Sequence, residues 1–118
     1  MTPNRGDVVL AWFPHASGSG GKWRPCVVIQ NDEDNHKIAN TVVAFITSTL
    51  TRRGDKSHVF VDISTSEGQQ SGLLHNSLIS CNNIATIEQS LVRKNLGKLG
   101  PNLMHEVDDC LKAAFELA

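Results

Sequence analysis

The chain has 118 residues, 40% apolar and 19% charged, with a net charge of −1 at neutral pH. That is the length of one ordinary domain, 1–118, able to bury a core without disulfides or a structural metal, and it excludes a collagen-like, wholly disordered or uniformly basic chain. No apolar stretch is long enough to span a bilayer, and "MTPNRGDVVL" lacks the basic-then-apolar opening of a signal peptide, so a cytoplasmic protein with no membrane association is expected.

Residues 7–13, "DVVLAWF", are β-branched and aromatic and run into Pro14, which predicts a first strand ending there. "HASGSGG" follows as a flexible loop. "PCVVIQ" and "TVVAFIT" are short apolar runs bounded by turn residues, which predicts two centrally placed strands joined by "NDEDNHKIAN" as a connecting turn. "HVFVDI" alternates, with Val59, Val61 and Ile63 on one face and His58, Phe60 and Asp62 on the other, as in a half-exposed strand. After the polar loop "STSEGQQSG", "SLISC" and "IATI" read as one or two further strands. The tail then changes period: Leu103, Met104, Val107, Cys110, Leu111, Ala114 and Phe115 recur at helical spacing behind Pro101 and Asn102. Five or more short strands with one amphipathic terminal helix imply a mainly β fold, a small, strongly bent sheet or partly open barrel with the helix over one opening.

Several apparent motifs carry no chemistry. Cys26, Cys81 and Cys110 are odd in number and form no C-x-x-C pair, so they read as small core residues. "SGSGGK" leads into Trp23 instead of Ser or Thr and so is no phosphate-cradling loop; "DEDN" lacks the glycine and distal glutamate of a calcium loop; no two of the five histidines stand at metal-ligand spacing. The "RGD" of residues 5–7 has no adhesive meaning without an export signal. No metal or other cofactor is expected.

The informative feature is a pairing. Arg24-Pro25 opens one strand, and Thr47-Ser48 closes the next. If those strands pair antiparallel through their connection, a guanidinium and two hydroxyls converge on one small anion pocket. The basic groups Lys22-Arg24, Arg52-Arg53-Lys56 and Arg93-Lys94-Lys98 can then outweigh the net charge locally.

"RGDVVLAWFP", the Gly-rich loop, "WRPCVVIQND", "FITS", "GLLHNSLISC", "ATIEQ" and "LGKLGPNLMHEVDDCLKAAFEL" together resemble the MazF/PemK/Kid toxins of bacterial toxin–antitoxin pairs. The resemblance covers nearly the whole chain in order. It implies an SH3-like β-barrel with a C-terminal helix, a homodimer, metal-independent and sequence-specific cleavage of single-stranded mRNA, and a MazE-type antitoxin whose acidic tail occupies the RNA groove. Cleavage without a metal means that the neighbouring 2′-OH attacks phosphorus, so phosphoryl charge must be stabilised and two protons moved. On that reading Arg24 stabilises charge, and Thr47 and Ser48 position the scissile phosphate.

Where many relatives carry an acidic residue, a glutamine and an arginine, this chain has Asn82, Asn83 and Ala85. The proton acceptor then falls to His15 or His75, and Asn82 and Asn83 are free to read base edges. Arg52, Arg53 and Lys56 would border the RNA groove together with Lys22, and Trp23 either stacks on an unpaired base or packs in the barrel wall. Two alternatives remain: a non-catalytic SH3-like binding module, and a gyrase-poison toxin of the same fold. The second is disfavoured because the chain ends "FELA" instead of Trp-Gly-Ile.

Overall fold

The computed structural model describes residues 2–118. In chain order it contains β1 (Asp7–Pro14), β2 (Gly21–Val28), α1 (Asp32–Lys37), β3 (Asn40–Thr47), β4 (His58–Val61), α2 (Ser66–Gln70), β5 (Ser77–Glu88), a 3₁₀ turn (Gln89–Leu91), β6 (Val92–Lys98) and α3 (Pro101–Ala114). All six strands join one antiparallel sheet in the order β4-β5-β3-β2-β1-β6. The two edges, β4 and β6, are not paired with each other among the described residues, so the sheet is an open, barrel-like one. The expected mainly β architecture with a terminal helix is therefore the one observed. No helix among the described residues is long and apolar enough to cross a membrane.

Side-chain alternation explains why the central strands are apolar without a break. Val8, Val27, Ala44 and Ile46 pack with β4, the start of β5 and Leu103, Val107 and Cys110 of α3. Their neighbours Val9, Ala11, Cys26, Val28 and Val43 enter a second cluster with Phe13, Phe45, Ile87 and Val92. Both faces of β1, β2 and β3 are buried, so the usual alternation of apolar and polar residues is absent. All three cysteines are free and buried. Burial pushes the Cys26 and Cys81 thiols up to about 12, as suits packing groups and not nucleophiles.

Three expectations change and one open alternative is decided. "NDEDNHKIAN" holds a helix, α1, because the Asn31 side chain caps it by accepting from the Asp34 N–H at 2.8 Å and three acids occupy its first turn. "STSEGQQSG" likewise holds α2, capped by the Thr65 hydroxyl at 3.0 Å from the Gly68 N–H. β2 starts at Gly21, before Pro25, since Trp12 pairs with Trp23. "SLISC" and "IATI" are one strand, β5, carrying an irregularity where Ala44 faces Ile84 but Phe45 faces Ser80. The sequence reading also missed β6, whose "RKN" hides its pattern.

Arg5 of the "RGD" tripeptide ties the start of the chain to α3, pairing with Asp108 at 2.7 Å and donating to the Ile29 carbonyl at 2.9 Å. Helix α3 is preceded by Gly100, which offers no side-chain cap. Its Leu103 N–H is satisfied instead by the Glu67 carboxylate of α2 at 2.9 Å. Replacing Glu67 by Ala should lower stability by about 1–2 kcal/mol, read as a lower urea midpoint at unchanged m-value, since it removes a charged helix cap.

Candidate active site

The ladder between β2 and β3 sets Cys26 opposite Phe45, so extending it by two places brings Arg24 abreast of Thr47. The guanidinium of Arg24 lies over the Phe45 ring, 4.9 Å from its centroid, and Phe45 is in turn braced by Phe13 at 5.5 Å. None of the ion pairs among the described residues involves Arg24. An aromatic face orients this cation, and its hydrogen-bonding fork has no carboxylate to occupy it.

Arg24 lines a cavity of about 680 Å³ whose wall also includes Trp23, Thr47, Ser48, His75 and Lys94. No aspartate or glutamate contributes to that wall. An arginine, a lysine, hydroxyls and a histidine around a partly apolar recess make a site for an anion attached to something flat or apolar. The Thr47 hydroxyl accepts from the Thr49 N–H at 3.1 Å, which fixes its direction at the strand end.

His75 reaches the cavity on the segment after α2. That segment turns at Gly72, whose φ of +73° is costly for any residue with a side chain, and a Cβ there would overlap the Leu96 carbonyl oxygen of β6. The backbones of the turn and of β6 therefore touch, and this contact holds Leu73, Leu74 and His75 against the cavity.

Arg24 and Phe45 are shared with a second, smaller pocket of about 190 Å³, lined also by Phe13, Pro14, His15, Ala16 and Asn83. The residues expected at the site thus divide in three. Arg24, Thr47, Ser48, His75 and Trp23 share the main cavity, and His15 and Asn83 share the adjoining pocket. Lys22, Arg52, Arg53, Lys56 and Asn82 line neither. Arg52 pairs with Asp55, Arg53 stacks on Phe60 with 3.6 Å to the ring centroid, and the Asn82 side chain accepts from the Ser80 hydroxyl at 3.0 Å. Trp23 packs edge-on against Trp12 at 5.6 Å and is covered on one face by the Arg93 guanidinium at 3.9 Å. Lys94 and Asn95 also line the cavity and were not anticipated there; Lys94 had a trace in the basic cluster Arg93-Lys94-Lys98, and Asn95 had none.

Comparison with known proteins gives a consistent result. The family described as PemK-like, MazF-like toxin of type II toxin–antitoxin system matches residues 4–115. Endoribonuclease EndoA of Bacillus subtilis (strain 168) is 30% identical over 118 residues, 99% of this chain and 97% of that protein. Among solved structures, an endoribonuclease from a mycobacterial species superposes with a TM-score of 0.78 at 22% identity, over 99% of this chain and 94% of that one. A mycobacterial endoribonuclease in complex with its cognate antitoxin does so with 0.77 at 24% identity, over 98% and 97%.

The Gly72 contact carries a prediction. Gly72→Ala should cost about 2 kcal/mol or more, and native-state hydrogen exchange should accelerate selectively in 72–76.

Proposed function

The chain belongs to the PemK-like, MazF-like toxin family of type II toxin–antitoxin systems, and we propose that it is a ribosome-independent endoribonuclease that cuts single-stranded mRNA at a short word without a metal. The observation that carries this reading is the cavity that holds Arg24, Thr47, Ser48 and Lys94 with no carboxylate in its wall. An acid-free recess with two basic side chains suits a phosphodiester, and its apolar part suits the attached bases.

In the proposed reaction the 2′-OH oxygen attacks the adjacent phosphorus and the P–O5′ bond breaks. The products are a 2′,3′-cyclic phosphate, which water opens to a 3′-phosphate, and a free 5′-OH. Arg24 stabilises the charge that builds on the non-bridging oxygens, while Thr47 and Ser48 hydrogen-bond the same phosphate and hold it in line. One proton leaves the 2′-OH and one reaches O5′. His75 shares the main cavity with Arg24 and His15 shares the adjoining pocket with it, and these two take the proton transfers in place of the acidic residue of other family members. Asn83, in the smaller pocket, presents an amide to a base edge.

The family also implies a cytoplasmic homodimer and an antitoxin with an acidic segment. Such a segment fits the same acid-free cavity and would block it by occupying the phosphate position.

The test is incubation of the antitoxin-free protein and Arg24→Ala with long single-stranded RNA in EDTA, followed by mapping of cut sites and end groups. Cleavage at one short word with cyclic or 3′-phosphate ends, reduced about 10²–10³-fold in the variant, is the expected result. A folded wild type that binds RNA but leaves it intact would instead make the chain a binding module.

A further inference from the structure

We propose that Lys94 is a second phosphate-binding group of this site, holding a phosphate next to the scissile one; the inference rests on the nuclease reading above. Lys94 lines the same cavity as Arg24 and Thr47. Its strand reaches that place through β1, where Leu10 faces Lys94 on one side and Pro25 on the other. Two strand spacings, about 10 Å, therefore separate the backbones at Lys94 and Pro25. Lys94 and the Arg24-Pro25 step stand on opposite sides of the recess, which suits two anionic groups spaced along a chain better than one small anion held between them.

The register of β6 sets this up. Leu10 pairs with Lys94 but Ala11 pairs with Val92, so Arg93 is an extra residue in the ladder. The irregularity frees Arg93 to cover Trp23 at 3.9 Å. It also leaves Lys94 on the face of the sheet shared with Leu10 and Pro25, whereas Arg24, paired with Ala11, lies on the other, so the two cations reach the recess from opposite faces of the sheet. None of the ion pairs among the described residues involves Lys94, and no acid lines the cavity to neutralise it. A lysine ammonium is a point charge that donates to a phosphate oxygen from many directions, which suits a flanking phosphate whose exact pose changes with sequence.

The experiment compares wild type, Lys94→Ala and Lys94→Arg for binding of a mixed-sequence single-stranded 2′-O-methyl RNA, which lacks the attacking hydroxyl, over a range of salt. Loss of one phosphate contact should flatten the slope of log K against log salt by about 0.7 in Lys94→Ala, with the wild-type slope kept in Lys94→Arg. On cleavable RNA, Lys94→Ala should raise KM several-fold and leave kcat nearly unchanged. An unchanged slope and KM in Lys94→Ala, with wild type binding RNA, would make Lys94 a solvated surface residue and overturn the inference alone. Equal losses in the Ala and Arg variants with a lowered Tm would assign it a structural role and overturn it too. A wild type that neither binds nor cuts RNA would remove the nuclease reading and this inference together.

Discussion

The site depends on one backbone constraint, the antiparallel ladder in which Cys26 of β2 faces Phe45 of β3. Because both faces of these strands are buried, their register cannot slip without turning apolar side chains out of two cores at once. The register in turn places Arg24 level with Thr47. Arg24, inside β2, and Thr47, the last residue of β3, thus inherit the rigidity of the ladder, and the β2–β3 pairing stops at Cys26 and Phe45, which leaves room for a ligand beside them. Precision of this kind is what electrostatic catalysis needs, since a charge stabilises a transition state only if it is held in place beforehand.

The two sides of the cavity are fixed by different means. On the β2 side, Phe45 orients the Arg24 guanidinium, and no carboxylate competes with the substrate for it. On the β6 side, the contact between Gly72 and the Leu96 carbonyl brings the His75 segment against an edge strand. Edge strands invite unwanted pairing, and β6 carries Arg93, Lys94 and Lys98, charges that discourage it. One of them, Lys94, also lines the cavity, so protection of the edge and attraction of an anion come from the same strand.

The parts of this site that sequence reasoning could reach were those set by local pattern. "PCVVIQ" and "TVVAFIT" announce two neighbouring strands, and a short connection between neighbours means antiparallel pairing, from which the meeting of Arg24 and Thr47 follows. The parts it could not reach are tertiary. Helix α1 reads as a loop because its residues are acidic and polar; it is stabilised by Asn35, a buried residue whose side chain accepts from the Thr41 hydroxyl at 2.7 Å and whose carbonyl accepts from the distant Gln89 amide at 2.8 Å. Strand β6 escaped because its ladder irregularities break the two-residue period and charged residues fill its middle. Lys94 and Asn95 stayed hidden with it. The basic loop of Arg52 and Arg53 was expected at the RNA groove from the family resemblance; in the structure its guanidinium groups engage Asp55 and Phe60, neither of which lines the two pockets around Arg24.

The central claim is that this cavity cleaves RNA through the substrate's own 2′-hydroxyl. The most direct measurement replaces that single hydroxyl by hydrogen at a mapped cut site in an otherwise unchanged single-stranded RNA. Cleavage at that site should disappear while binding of the strand persists. Continued cutting at the 2′-deoxy position would contradict the mechanism, since the nucleophile would then have to come from water or from the protein.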